Sequence, residues 1–214
     1  MCGICGFVDL SNRYNHLNRQ RIISEMTNTL IHRGPDDEGY WHDEAKGVSL
    51  GHRRLSILDL SSHGSQPMLS NSGRYAIVFN GEIYNHSLLR NELIKSGVNI
   101  SWRGHSDTET LLACIDEWGI EKSIKKSTGM FALAIFDNKE NNLFLVRDRM
   151  GEKPLYYGHQ NGVFLFGSEL KAINKHPNSL CEIDRNAIAL QFRYSYIPTP
   201  YSIYKGIKKL KAGT

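Results

Sequence analysis

The chain has 214 residues, which is enough to bury one substantial hydrophobic core or two small ones. Its 40% hydrophobic and 22% charged residues are ordinary for a soluble globular protein, and no apolar run approaches the roughly 18 residues of a membrane span. The net charge is only +4, and no aromatic or arginine-rich companion follows the densest basic run, 205–211, so nucleic-acid binding is disfavoured, and membrane insertion is disfavoured by the lack of a long apolar run.

The first half of the sequence alternates between strand and helix patterns. Apolar residues at helical spacing predict an amphipathic helix over 18–31, and the charged, Gly-Pro-containing sequence after it predicts a loop. An apolar strand over 75–79 is expected to stop at Asn80-Gly81, because Asn-Gly is a strong turn dipeptide. The other predicted elements are strands over 3–9, 39–43 and 47–53, a helix over 85–96, and a helix to about 118 capped by Ser106 or Asp107.

The second half of the sequence is mainly β. Two apolar runs around a polar loop predict a hairpin over 130–146, and a second pair of strands, 155–157 and 163–166, surrounds an Asn-Gly turn. A short helix is expected near Ser168, and Asp184 is expected to cap a further helix to about 192. Segregated helices together with many antiparallel strands predict an α+β layered domain.

Cys2 is the strongest candidate for a catalytic residue. Met1 precedes a small residue, so an aminopeptidase is expected to remove it and leave Cys2 at the amino terminus. A cysteine thiol has a reference pKa of ~8.5 and an α-amine one of ~7.7–8.0, so near neutral pH the terminal amine can take the thiol proton. Activation of a nucleophile by a terminal amine is established for threonine. Gly3 and Gly6 let backbone and substrate come close.

Two other interpretations of this cysteine stay open. Free cysteine is among the most buried residue types, so Cys2 could be a packing residue. Cys2-x-x-Cys5 could also be half of a zinc site or a redox pair, but neither Cys114 nor Cys181 belongs to a second pair at matching spacing. No metal site is therefore predicted. The sequence shows no leader segment and its thiols are expected to stay reduced, so the chain is expected to be cytoplasmic.

A thiol that attacks a carbonyl needs hydrogen-bond donors for the developing oxyanion. Asn80 offers a side-chain amide, and Gly81 offers an unobstructed backbone N–H. Arg54 can form two parallel hydrogen bonds with a substrate carboxylate, while Glu82 and Asp107 can bind a substrate ammonium. Each residue also has an ordinary alternative: a turn, a surface arginine, a solvated glutamate and a helix cap. The set fits an amino acid with a side-chain carbonyl.

Eight short segments, spread over nearly the whole chain, form an ordered set of motifs. They are MCGICG (1–6), HRGPD (32–36), RLSILD (54–59), FNGEIYN (79–85), SDTE (106–109), GMFA (129–132), RDRMGEKPLYY (147–157) and GSELKA (167–172). In this order they resemble the class II glutamine amidotransferase domain. The asparagine-synthetase branch fits best, because related sugar- and nucleotide-pathway amidotransferases lack the Arg-Leu-Ser and Lys-Pro-Leu-Tyr-Tyr blocks.

The resemblance implies an N-terminal-nucleophile hydrolase fold, a four-layer αββα sandwich in which two antiparallel sheets stack between helical layers. It implies hydrolysis of L-glutamine to glutamate and ammonia through a thioester on Cys2. Carried over by motif, Asn80 and Gly81 form the oxyanion hole, Arg54 holds the α-carboxylate of glutamine, and two acidic residues hold its α-ammonium. The residues expected to bind substrate are Arg54, Leu55, Ser56, Ile57, Leu58, Asn80, Gly81, Glu82 and Asp107.

The resemblance also implies a division of labour between domains. Residues 1–214 are expected to be the glutaminase domain, with about 195–214 beginning the connection to a C-terminal synthetase domain that adenylates a carboxylate acceptor. No Ser-Gly-Gly-x-Asp-Ser pyrophosphate loop occurs in this sequence, so ATP and Mg are expected only for that other domain, and this one is expected to need no cofactor. Its expected partners are L-glutamine and the synthetase domain of the full-length chain, and a homodimer is compatible with the resemblance. The competing hypothesis is a catalytically silent module that supports a partner synthetase, which the presence of Cys2 disfavours.

Overall fold

The computed structural model describes residues 1–11 and 13–214. Their strands form two sheets in which all the paired strands are antiparallel. From edge to edge, the larger sheet contains β10 (Ile207–Lys209), β8 (Tyr156–Gln160), β9 (Val163–Gly167), β1 (Gly3–Val8), β3 (Val48–Arg54) and β2 (Asp37–Asp43). The smaller sheet contains β4 (Met68–Leu69), β5 (Tyr75–Ile83), β6 (Gly129–Asp137) and β7 (Asn142–Arg147).

Six α-helices occur in the described residues, together with a 3-10 turn at Ser62–Gly64. Two of them, α1 and α5, pack against the larger sheet, and α3 packs against the smaller one with α2 and α4 beside it. The helices are α1 (His16–Asn28), α2 (His86–Lys95), α3 (Asp107–Trp118), α4 (Ile120–Lys126), α5 (Leu170–Asn174) and α6 (Arg185–Tyr194).

Three apolar clusters show how the sheets and helices stack. The middle cluster joins residues of both sheets, such as Leu50 from β3 and Val78 from β5, and so fills the space between the sheets. A second cluster joins the smaller sheet to α2 and α3, and a third joins the larger sheet to α1 and α5. The order is therefore helix, sheet, sheet, helix. This confirms the predicted α+β sandwich of two antiparallel sheets.

The alternation of side chains along β1 explains why its two cysteines differ. Ile4 belongs to the cluster between the sheets, whereas Cys5 and Phe7 belong to the cluster under α1 and α5. Successive strand residues point to opposite faces, so Cys5 is directed into the helical layer, where its Sγ lies 3.3 Å from Thr27 Oγ1. Cys2 lies just before the strand. The two thiols therefore belong to different environments, and Cys5 is a core residue.

Local signals placed several elements correctly. Ser106 is the N-cap of α3, and its side chain accepts a hydrogen bond from the N–H of Glu109 at 3.1 Å. Asp184 likewise caps α6 and accepts from the N–H of Asn186 at 2.9 Å. The predicted helix over 85–96 and both β pairs of the second half are also confirmed. The basic run near the end contributes β10, an edge strand whose Ile207 is buried.

Three sequence predictions need correction. The strand predicted over 75–79 does not turn at Asn80-Gly81 but continues to residue 83, because β6 pairs with it along its whole length. The helix predicted over 18–31 begins at 16 and ends at 28, and α4 was not predicted at all.

In the part of the chain that the structure describes, no helix is both long and apolar enough to cross a membrane.

Acid should destabilise the fold in two stages. His52 and His176 are almost completely buried, and burial lowers the pKa of each to about 4. As the pH falls from about 6.5 to 4, the unfolded chain binds protons at these positions and the folded chain does not, so the free energy of unfolding decreases. For His52 the loss is on the order of 3 kcal/mol. Below about pH 4, protonation of Asp59 and Glu169, whose pKa values are lowered to about 2, removes further stability.

The measurement is the denaturant midpoint as a function of pH. Replacing His176 with leucine should flatten the first stage of this curve. The variant has no imidazole at this position, so only His52 still binds a proton in the unfolded chain and not in the folded one. A midpoint that stays constant between about pH 6.5 and 4 in the unmodified protein would contradict the account of both histidines.

Candidate active site

Cys2 lies at the end of the larger sheet, beside the residue that follows β3. Its Sγ accepts a hydrogen bond from the N–H of Leu55 at 3.4 Å, and its carbonyl accepts one from Arg33 Nε at 2.9 Å. Burial raises the pKa of the Cys2 thiol, and the Leu55 N–H and the positive charge of Arg54 act in the opposite direction. A thiol with a raised pKa needs a base beside it before it can act as a nucleophile at neutral pH.

The hydrogen-bond pattern of β5 shows where the Gly81 N–H points. The pair Tyr84 and Thr128, which extends the β5–β6 register, is joined by a bond from the Tyr84 N–H at 2.8 Å. Hydrogen-bonded and non-bonded pairs alternate along an antiparallel ladder. Even-numbered residues of β5 therefore bond to β6, and odd-numbered ones direct their N–H and C=O to the opposite edge. Gly81 is odd-numbered, so its N–H faces away from β6.

The residues on either side of Gly81 confirm this direction. The Phe79 N–H donates to Gln66 Oε1 at 2.7 Å, and the Ile83 N–H donates to Asp107 Oδ2 at 2.8 Å. Among the residues that the structure describes, the Gly81 N–H has no such partner. A Cβ on this residue would collide with the carbonyl oxygen of Met130 on β6, which explains why glycine is needed.

Asn80 points into the space between the two sheets. Its neighbours two and four residues earlier, Val78 and Ala76, belong to the middle cluster, and alternation places Asn80 on the same face. The side chain is almost fully buried, yet its Nδ2 has no hydrogen-bond partner within residues 1–11 and 13–214. An unmade hydrogen bond of this kind costs free energy, so an unpaired buried amide donor is a strong indication of a binding site for an oxygen atom.

Arg54 holds the loop that follows β3. Its Nη1 donates to the carbonyl of Ser61 at 2.8 Å, and its Nη2 donates to the carbonyl of Asp59. Gly64 leaves the space into which this guanidinium fits. The Asp59 carboxylate closes the same loop by accepting from Ser61 Oγ at 2.6 Å, and hydrogen bonds from Ser61 and from the His105 N–H lower its pKa to about 2. Each Nη atom still has a second N–H for another acceptor.

Two acidic residues also line the pocket. Asp107 is buried at the start of α3, and burial raises the pKa of its carboxyl group despite hydrogen bonds from the N–H groups of Ile83 and Thr108. Glu82 is partly exposed and lies next to Gly81 on β5. Together with Arg54, these side chains give the pocket one cationic and two anionic groups.

One pocket brings nearly all the candidate residues together. Nine of the ten residues singled out from the sequence line it, and Ser56 is the exception, since its N–H is turned towards Asp36 Oδ2 at 2.8 Å. The nine are Cys2, Arg54, Leu55, Ile57, Leu58, Asn80, Gly81, Glu82 and Asp107.

Several lining residues were not found from the sequence. Gln66, Thr108, Met130 and Lys153 all border the pocket. Gln66 connects β5 with α3, because its Oε1 accepts from the N–H of Phe79 and its Nε2 donates to Thr108 Oγ1 at 3.4 Å. Thr108, Met130 and Lys153 lie in segments that were noted only as motifs. None of these four has a local pattern that distinguishes it from an ordinary loop or strand residue.

Among the described residues, the other three thiols are not bonded to Cys2. All four cysteines are free, with Cys5 and Cys114 buried and Cys181 exposed. Burial raises the pKa of the Cys5 and Cys114 thiols to about 12, so neither is a reactive thiolate near neutral pH. Apart from the one position left undescribed, no three His, Cys, Asp or Glu side chains are grouped as metal ligands would be.

Comparison with known proteins gives the family of this site. A model of the glutamine amidotransferase domain matches residues 1–214. The chain belongs to that family. The amidotransferase domain is 40% identical over 214 residues to asparagine synthetase [glutamine-hydrolyzing] 3 of Bacillus subtilis, with 99% of this chain and 34% of the relative covered. It is 39% identical over 230 residues to a putative asparagine synthetase [glutamine-hydrolyzing] 2 of Methanocaldococcus jannaschii, with 99% of this chain and 43% of the relative covered.

The chain thus spans between a third and a half of the length of these relatives. Its fold resembles that of glutamine phosphoribosylpyrophosphate amidotransferase from B. subtilis, with a TM-score of 0.65 and 19% identity, over 98% of this chain and 49% of that one. An allosteric regulatory enzyme of purine biosynthesis matches with a TM-score of 0.63 and 21% identity, over 81% and 43%. These two likenesses confirm the predicted amidotransferase fold.

Proposed function

We propose that this amidotransferase domain hydrolyses the side-chain amide of L-glutamine to glutamate and ammonia through a thioester on Cys2. The observation that supports this most is that the Cys2 thiol shares one pocket with two unused donors. These donors are the buried Asn80 Nδ2 and the Gly81 N–H, neither of which has a partner among the described residues. Donors held ready for a developing oxyanion are a principal source of catalysis in acyl transfer.

The reaction then needs only groups of this chain and water. The Cys2 α-amine takes the thiol proton, and the thiolate attacks the amide carbon, so that a C–S bond forms and the carbonyl oxygen becomes negative. Asn80 and Gly81 donate hydrogen bonds to that oxygen. Collapse of the intermediate breaks the C–N bond, and the α-ammonium returns its proton to the leaving nitrogen, which departs as ammonia. Water then attacks the thioester, which releases glutamate and restores the thiol.

Removal of Met1 is part of this proposal, because it creates the free α-amine. It would also change the pocket. The Met1 side chain lines the pocket, and its Sδ lies 3.3 Å from Lys153 Nζ, while its α-ammonium donates to the Arg33 carbonyl at 3.1 Å. Loss of Met1 would therefore supply the base and also vacate space for substrate beside Cys2.

The charged side chains of the pocket suit the α-carboxylate and the α-ammonium of glutamine. Arg54 carries N–H groups suited to the α-carboxylate, and Glu82 and Asp107 carry negative charge suited to the α-ammonium. Leu55 and its neighbours up to Leu58 border the same space. Glutamine bound between these groups would place its side-chain amide towards Cys2.

Replacing Arg54 with lysine should raise the KM for glutamine by roughly 10- to 100-fold, because lysine keeps the charge but loses the planar fork. An analogue of glutamine without the α-carboxylate should be hydrolysed almost equally well by both proteins. The measurement is kcat and KM for the two substrates, with Arg21→Lys on the exposed face of α1 as a matched control. Equal losses for both substrates would show that Arg54 only holds the loop through Ser61 and Asp59.

The proposed destination of the ammonia is an ATP-dependent synthetase domain of the full-length protein, which would amidate aspartate or another carboxylate. The names of the relatives and their greater length support this proposal. ATP and Mg would serve that domain, and the glutaminase would need no cofactor. Residues 195–214 would begin the connection, and the site of action would be the cytoplasm.

Residues 1–214 alone should release ammonia from glutamine but make no amide from aspartate and ATP. Amide formation by this chain would show that an acceptor site lies within it.

A glutaminase assay on protein of known amino-terminal mass tests the central proposal. Chains that begin with Cys2 should release equal amounts of glutamate and ammonia, and chains that retain Met1 should be inactive. Processed, folded protein that binds glutamine without hydrolysing it would instead support the catalytically silent module. Adding the synthetase domain to the assay guards against a domain that is active only in the complex.

A further inference from the structure

A buried histidine joins the two halves of the active site. His52 lies on β3, where it pairs with Ile4 of β1, two residues from the nucleophile. Val48 and Leu50 on the same face of β3 belong to the cluster between the sheets, and His52 continues that face. Its Nε2 crosses the gap and lies 3.1 Å from the carbonyl oxygen of Phe79 on β5. The larger sheet carries Cys2, and β5 carries the oxyanion donors, so this bond connects them.

The chemistry of the bond defines the state of the ring. A carbonyl oxygen can only accept, so Nε2 must carry the hydrogen. Burial lowers the pKa of His52 to about 4, with a smaller effect of the same sign from Arg54 and an opposite one from Asp37, so the ring is neutral near pH 7. Nδ1 is buried without a hydrogen-bond partner in the described part of the chain. None of the described contacts joins the ring to Cys2, so it is not placed to accept the thiol proton.

The acceptor is the peptide group that leads into the oxyanion donors. The Phe79 carbonyl is bonded to the nitrogen of Asn80, and Gly81 follows. Phe79 is held on both sides, because its N–H donates to Gln66 Oε1 and its C=O accepts from His52 Nε2. After Gly81, Asp107 holds the N–H of Ile83. Asn80 and Gly81 therefore lie between two residues, Phe79 and Ile83, whose backbone groups are held by hydrogen bonds. This edge of β5 is paired with β4 only as far as Ile77.

We infer that His52 is a positioning residue, whose Nε2–H fixes the distance between the Cys2 thiol and the oxyanion donors of β5 by holding the Phe79 carbonyl. This inference rests on the proposed glutaminase function. The donors act on charge that develops in the transition state, and a misplacement of about 1 Å in such a site can cost about 100-fold in rate. His52 should therefore affect kcat more than glutamine binding, because its one described hydrogen bond goes to the Phe79 carbonyl and not to Arg54, Glu82 or Asp107.

Two substitutions separate this role from simple packing. His52→Leu fills similar space without a donor and should lower kcat by roughly 10- to 100-fold, with KM changed by less than about threefold. His52→Gln offers an amide N–H at nearly the same reach as Nε2 and should restore most of the lost rate. An aldehyde analogue of glutamine, which forms a tetrahedral hemithioacetal with Cys2 and places its oxygen at the oxyanion donors, should bind more weakly to His52→Leu in proportion to the loss of kcat.

The matched control is His176, a second almost fully buried histidine whose pKa burial also lowers to about 4. Its Nδ1 accepts from the N–H of Asn178, and its ring packs against Phe7 and Tyr14 outside the active site. His176→Leu should lower the thermal unfolding temperature and leave kcat unchanged. If His52→Leu does not fold, the comparison of His52→Gln with His52→Asn replaces it, since the shorter amide cannot reach Phe79.

The outcomes distinguish the inference from the function on which it rests. Wild-type protein that begins with Cys2 and shows no glutaminase activity, alone and with the synthetase domain, would refute the proposed function itself. Active wild type with an unchanged kcat in His52→Leu, or in His52→Asn, would overturn only the positioning role. Equal loss of kcat in His52→Leu and His176→Leu would also overturn it, because the effect would then follow from lost stability. Loss of kcat in His52→Leu but not in His176→Leu, together with recovery of kcat in His52→Gln, supports it.

Discussion

Replacing Cys2 with alanine should abolish glutamine hydrolysis and leave the fold intact. The side chain is partly buried just before β1, and its loss removes only weak hydrogen bonds with the backbone of Leu55, so little stability depends on it. Without the thiol no thioester can form, and the covalent route is closed. The expected result is a rate at the background of the assay with an unchanged thermal unfolding temperature.

Labelling locates the reactive thiol independently. A glutamine analogue with an electrophilic side chain should modify Cys2 once per chain, and an excess of glutamine should protect it. Cys181→Ala is the matched control, because Cys181 is the exposed thiol and lies outside the pocket. This variant should keep full activity and full labelling. Labelling at Cys5 or Cys114 instead of Cys2 would contradict the assignment.

Replacing Asn80 with alanine should lower kcat by ~10²–10³-fold with a smaller change in KM. The buried Nδ2 has no partner in the described residues, so its removal breaks no bond that the free enzyme makes. The loss is felt when the carbonyl oxygen becomes charged, because the donor is then missing. Asn80→Asp should be at least as slow, since a carboxylate in this place would repel the oxyanion.

The comparison for this variant is Asn85→Ala. Asn85 also contributes a side-chain amide, but its Nδ2 donates to the Lys126 carbonyl and its Oδ1 accepts from the N–H of Thr128, outside the pocket. That variant should lose stability and retain kcat. A tenfold rise in KM at unchanged kcat in Asn80→Ala would show that Asn80 binds the ground state only.

The elements that the sequence predicted well are those governed by neighbours along the chain. The cap at Ser106 depends on a side chain and an N–H three residues away, so the residue type alone indicates it. The apolar strand predicted over 3–9 likewise depends on neighbouring residues, and the structure places it at Gly3–Val8. The roles of Cys2, Arg54, Asn80 and Asp107 were predicted from the ordered motifs, because residue spacing alone did not decide them. The structure places all four around one pocket.

The predictions that failed are those decided by distant partners. Asn80-Gly81 has the composition of a turn, but nine consecutive pairs with β6 keep it in a strand, and the glycine serves the close approach of Met130. His52 and Gln66 act on the same Phe79 peptide, yet they come from different parts of the chain and have no pattern that a sequence window could detect. Ser56 was included with its neighbours by motif; its N–H is turned towards Asp36, and its contribution to substrate binding stays a prediction.

The uncovered edge of β5 also bears on whether a strand of another chain can add to the smaller sheet. A strand edge with free N–H and C=O groups is a template onto which another chain can add, and natural proteins block such edges. Here Gln66, His52 and Asp107 occupy the peptides on both sides of Gly81, so the gap is one residue long. A gap of that length can admit a single small acceptor but not an extended peptide. The side chains that prepare the edge for a ligand therefore also protect it from self-association.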